Sequence, residues 1–109
     1  MIEKNPKLPI NITWTKIGKD KELYRIYVDI QITENRKLYP SFGLKAVFKA
    51  IRLNSSSRNK EIVILIDNHS PYGFHEHDKL PRIHDSRKIL TEQNWQEAWG
   101  IFQKKIKEL

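Results

Sequence analysis

Between Tyr24 and Ile32 the chain alternates without a break. Tyr24, Ile26, Val28, Ile30 and Ile32 fall on one side and Arg25, Tyr27, Asp29 and Gln31 on the other, the period of a strand with one buried face. Ile10, Ile12 and Trp14 repeat the pattern against Asn11, Thr13 and Thr15, and a Gly-Lys-Asp turn follows, so residues 9 to 17 and 22 to 33 read as an antiparallel hairpin. The run from Glu61 to Ile66, EIVILI, is β-branched and apolar and reads as a strand buried on both faces. The segment FGLKAVFKAIRL fits two periods. Leu44, Val47, Phe48 and Ile51 make a helix face, whereas Ala46, Phe48 and Ala50 make a strand face. The polar stretch Asn54 to Asn59 reads as a turn, and an arm on each side of it favours a second hairpin, with a helix as the alternative.

Toward the C-terminus, Trp95, Ala98, Trp99, Phe102, Ile106 and Leu109 form one apolar helix stripe. Asn94 followed by Glu97 resembles a capping box, and Lys104, Lys105 and Lys107 crowd the turns where cations offset the helix dipole. The stripe reads as core, because a sheet needs covering. Gly100 interrupts it at a cost of about 1 kcal/mol relative to alanine, which points to close backbone packing or a slight bend. The expected fold is α+β, a small antiparallel sheet of about four or five strands packed against a C-terminal helix. A chain of 109 residues suits a single domain, 1–109.

Charge narrows the choice of partner. Twenty Lys and Arg against thirteen Asp and Glu give a formal charge of +7. Such a field steers polyanions and gains affinity from released counterions, so nucleic acid is the default partner. With no cysteine, disulfides and thiolate-bound zinc are excluded, and a metal would rest on histidine and carboxylate ligands. The N-terminal residues MIEKNPKLPI lack the apolar run of a secretory signal, and no stretch approaches the length that crosses a bilayer, so a cytoplasmic location is expected.

All four histidines lie in IDNHSPYGFHEHDKLPRIHDSRK, Ile66 to Lys88. Pro71 and Gly73 argue against a helix there, so His75 and His77 project from one face of an extended chain while Glu76 points away. His69 follows the end of the buried strand, where Asp67 and Asn68 sit on rigid support. Cleaving RNA without a metal takes a base for the 2'-hydroxyl proton, an acid for the leaving 5'-oxygen and a cation beside the developing charge. His75 and His77 suit the proton transfers and Asp67 would orient one ring. Asn68 or a cation would donate to a phosphate oxygen, with His69 in support. Lys79, Arg82, Arg87 and Lys88 supply positive charge. Tyr72 reads as a ring for stacking on a base, and His84 as a second-rank candidate. The same atoms suit a metal centre, with His75 and His77 joined by His69 and Asp67 or Asp85. A polar loop whose histidines do nothing is the plainest alternative. Lys45, Lys49, Arg52, Arg58 and Lys60 would widen a basic surface or merely solvate one.

An apolar strand ending in Asp67-Asn68, a turn with His69, Pro71 and Gly73, the His75-x-His77 pair and a C-terminal helix together resemble the TumE-like toxins of prokaryotic toxin-antitoxin systems. The resemblance lies mainly in the second half of the chain. It implies a small α+β toxin acting on RNA, encoded beside a helix-turn-helix antitoxin that neutralises it. Apart from the resemblance, no cofactor is expected, and a second copy of the chain is a further candidate partner. The roles of Lys79, Arg82, Arg87 and Lys88 come from charge alone and not from the resemblance.

Overall fold

A computed structural model describes residues 8–34, 43–53, 61–69, 73–80, 83, 86–91 and 93–109. Tyr72, Arg82, His84 and Asp85 lie outside the described residues, as do Pro71, Arg58, Lys60 and the expected turn from Asn54 to Asn59. Six strands, β1 (Ile10–Ile17), β2 (Leu23–Ile32), β3 (Leu44–Leu53), β4 (Glu61–Asp67), β5 (His75–Glu76) and β6 (Lys88–Ile89), precede one helix, α1 (Trp95–Glu108). They form a single antiparallel sheet in sequence order. The architecture is thus the expected α+β, with more strands than the expected four or five. The excess comes from β5 and β6, each two residues long and too short to show a period.

The hairpin β1–β2 forms as the alternation requires, with Trp14 opposite Ile26 and Ile12 opposite Val28. Its turn closes by Gly18 N–H donating to Glu22 O at 2.8 Å. Asp20 in that turn accepts from Glu22 N–H at 3.0 Å and from the Tyr24 hydroxyl at 2.8 Å. These bonds, the backbone one first, hold its carboxyl below the ordinary aspartate value. The stability they contribute is present above that ordinary value and drains away as pH falls through the lowered one.

The ambiguous segment 44–53 is a strand. Pairing on both sides places Ala46, Phe48 and Ala50 on the face that carries Ile26, Val28 and Ile30, all of them buried. β4 corrects an expectation. Ile64 and Ile66 are buried, but Ile62, Val63 and Leu65 are only half-buried, since described elements pack on one side of this strand. A bulge where Ala50 and Ile51 pair with Ile64 and Ile62 leaves Val63 as the extra residue.

Helix α1 lies across β3 and β4 and buries Ala98, Phe102 and Ile106. Phe48 meets it between two rings, Trp99 at 5.8 Å and Phe102 at 5.5 Å between centroids. Asn94 caps the helix by accepting from Glu97 N–H at 2.7 Å. At the other end Lys16 Nζ donates to Ile106 O at 2.5 Å and Lys19 N–H to Leu109 O at 3.0 Å, satisfying carbonyls that a helix leaves open. Gly100 is not a close-packing position, because a Cβ there would meet nothing within 4 Å. Gly100→Ala should therefore stabilise the fold by about 1 kcal/mol, seen as a higher urea midpoint at unchanged slope.

Candidate active site

The sheet has two unlike faces. One packs under α1. On the other, Asn11, Asp29, Val47, Asp67, His75 and Ile89 are successive partners across all six strands, a single row perpendicular to the chain. Alternation along each strand sets neighbouring side chains beside this row. His77, whose N–H donates to Leu65 O at 2.9 Å, stands two residues from His75, and Arg87 two residues from Ile89. Among the described residues no element packs over this face.

Asp67 ends β4 at the centre of the row. One carboxylate oxygen lies 3.0 Å from His75 Nε2 and the other 3.6 Å from His77 Nε2. The two rings are 5.0 Å apart and tilted by 54°. They share one space, as the spacing of two residues in extended chain requires. His75 is 2 % exposed and His77 9 %, so the pair is set into the sheet and not displayed on a loop. Asp67, His75 and His77 each present one ligand atom, all within 4.8 Å of one another. They are the described residues able to hold a metal.

Local structure fixes the His75 ring. His75 Nδ1 lies 2.7 Å from Gly73 O, and as a carbonyl can only accept, that nitrogen carries a proton and donates it. Gly73 reaches this position with φ +63, a left-handed conformation that favours glycine, and a Cβ would run into the Gln93 side chain. Gln93 acts as a piece of strand. Its Oε1 accepts from Phe74 N–H at 2.6 Å and its Nε2 donates to Phe74 O at 2.9 Å and Leu90 O at 2.8 Å. Behind the pair, Glu76 faces the helix, as expected, and its carboxylate meets Lys105 Nζ at 2.7 Å.

A cavity of about 250 Å³ opens over the cluster, lined by Ala46, Val47, Leu65, Asp67, His69, His75, His77 and Arg87. His69 is exposed, and its N–H donates to Asp67 Oδ1 at 3.2 Å in a short turn. Arg87 is exposed as well. A second hollow of about 230 Å³, also lined by Val47, lies over β1 to β3 and is lined by Lys45, Lys49, Asp29 and Tyr27. Lys49 Nζ sits 5.0 Å from the centre of the Tyr27 ring.

Other candidates are placed elsewhere. The amide of Asn68 is committed to β3: its Oδ1 accepts from Ala46 N–H at 3.0 Å and its Nδ2 donates to Leu44 O at 2.6 Å, with the residue 1 % exposed. It continues the β3–β4 ladder one step past the strand and is not among the cavity's lining residues. Lys88 pairs with Glu76 and so stands on the helix side of the sheet. Lys79 is exposed in the turn after His77, where its N–H donates to Ser86 Oγ at 3.0 Å. Sequence reasoning missed Gln93 and the Gly73 carbonyl, which no motif advertises. It also left Lys45 and Lys49 without a place, although their alternation with Ala46, Phe48 and Ala50 assigns them to the Asp67 face once Val47 is paired with Asp67.

No family model, curated protein or solved structure matches this chain. No helix among the described residues is long and apolar enough to cross a membrane.

Proposed function

We propose that the protein is an endoribonuclease, the toxin of a toxin-antitoxin pair, and that it cuts RNA in the cavity above Asp67, His75 and His77. The observation that carries this reading is the convergence of two imidazoles on one carboxylate at the floor of an opening that also carries His69 and Arg87. A formal charge of +7 supplies the attraction for a polyanion. The neighbouring hollow lined by Lys45 and Lys49 supplies a path for the backbone beyond the scissile phosphate. In this reading the cluster takes the proton from the attacking 2'-hydroxyl, the exposed His69 donates a proton to the leaving 5'-oxygen, and Arg87 offsets charge on the phosphate. Asn68 supports the site through the backbone and takes no part in the chemistry. The toxin role and a helix-turn-helix antitoxin as partner follow from the resemblance of the segment Asp67 to His77.

Purified protein incubated with end-labelled RNA and DNA of one sequence should shorten the RNA and leave the DNA whole. Tight, salt-sensitive binding of RNA with no product under any condition would make the protein a binding module instead.

A further inference from the structure

We propose that Asp67, His75 and His77 form a binding site for one divalent transition-metal ion, zinc or manganese in chemical class. The inference deepens the proposed nuclease reading of this cavity, but metal uptake can be measured without any cleavage.

The starting point is proton accounting at His75. Its Nδ1–H is given to Gly73 O, so a neutral ring presents a bare lone pair at Nε2. That lone pair faces Asp67 Oδ1 at 3.0 Å, and a carboxylate oxygen is also an acceptor. Two acceptors at this distance need a positive centre between them, either an added proton or a cation. A backbone carbonyl on Nδ1 with Nε2 turned to a carboxylate and a second imidazole is the arrangement that fixes metal-binding histidines.

The second ring favours a cation. His77 Nε2 lies 3.6 Å from Asp67 Oδ2, too far for a good hydrogen bond to that oxygen. Ligand atoms about 2.0–2.1 Å from a tetrahedral zinc ion stand about 3.3 Å apart. His75 Nε2 stands 3.0 Å from Oδ1 and His77 Nε2 3.6 Å from Oδ2 of the same carboxylate, and one ligand atom from each residue lies within 4.8 Å of the others, so a modest closing of the cluster brings all three onto one ion. A proton added at His75 Nε2 serves that ring alone, whereas an ion draws both imidazoles to the carboxylate. The cavity of about 250 Å³ lies on the remaining side, so a fourth position is left for water or a phosphate oxygen.

The test is calorimetric titration of zinc chloride into the full chain after chelator treatment and dialysis, with manganese chloride in parallel. One ion per chain is expected for the wild type, with a higher melting temperature when loaded. Asp67→Asn, which keeps the side chain's shape, and His77→Ala should each weaken binding by about 10- to 100-fold or more. Circular dichroism melts of both metal-free variants establish that they are folded, and should either fail to fold, the wild-type stoichiometry and its melting shift decide alone. No stoichiometric uptake by the wild type, or equal uptake by folded variants, overturns the proposal. Uptake without RNA cleavage would leave the metal site standing and remove the nuclease. Cleavage by a chain that takes up no metal would do the reverse.

Discussion

Asn68→Asp is expected to destabilise the fold by about 3 kcal/mol at neutral pH, and the loss should shrink on acidification. Asn68 is 1 % exposed, and both ends of its amide are used: Oδ1 takes the Ala46 N–H and Nδ2 gives a hydrogen to Leu44 O at 2.6 Å. An aspartate reproduces the first bond. Its second oxygen then faces the Leu44 carbonyl as acceptor against acceptor, with a negative charge out of water. Protonated, the same side chain donates to Leu44 O and stands in for the amide. The folded state thus prefers the protonated acid and raises its pKa above the unfolded value. The raised value means that the variant is most stable below the unfolded pKa and loses stability as pH rises through the folded one. Urea melts from acid to neutral pH would show this slope. A variant equal to the wild type at neutral pH would mean that the Asn68 amide does not join β4 to β3.

Asp67→Asn is expected to lower RNA cleavage by about 10²- to 10⁴-fold while the fold survives. Asp67 is half-buried, and its carboxylate lies near both imidazole nitrogens, at 3.0 and 3.6 Å. An amide keeps the volume and one oxygen but loses the charge that holds an ion or proton between the rings. The expected pattern is a fall in turnover with RNA affinity little changed, because Arg87 in the cavity and Lys45 and Lys49 in the neighbouring hollow are untouched. Anisotropy with labelled RNA measures the affinity, and product formation at saturating enzyme measures the turnover.

Much of the scaffold is legible from residue order alone. Tyr24 to Ile30 alternates because one face must leave water, though Ile32 at the end of the row is exposed, and Trp95 to Leu109 repeats at helical spacing because that stripe covers the same face. The segment 44–53 carries both periods, and only pairing between β2 and β4 resolves it as a strand. β5 and β6 have no readable period at two residues each. They are set by tertiary bonds, chiefly the Gln93 side chain standing in for backbone around Phe74. At the site, the common face of His75 and His77 follows from their spacing, and the opposite heading of Glu76 follows with it. Asp67 stands beside a ring as its place after the strand suggests, but its reach to both rings did not follow. An aspartate near a histidine reads as an orienter of one ring, whereas here a glycine carbonyl orients His75 and Asp67 lies between two Nε2 atoms. Asn68 looked available for chemistry because it follows a strand end, yet a strand end is also where an amide can extend a ladder.

The central claim is that the paired imidazoles and their shared carboxylate are the reaction centre, and one comparison tests it most directly. Wild-type protein and His77→Ala, matched by melting temperature, would be incubated with the same end-labelled RNA in the presence of zinc or manganese. The account predicts defined fragments from the wild type and intact RNA from the variant. Identical fragments from both, at equal rates, would contradict it.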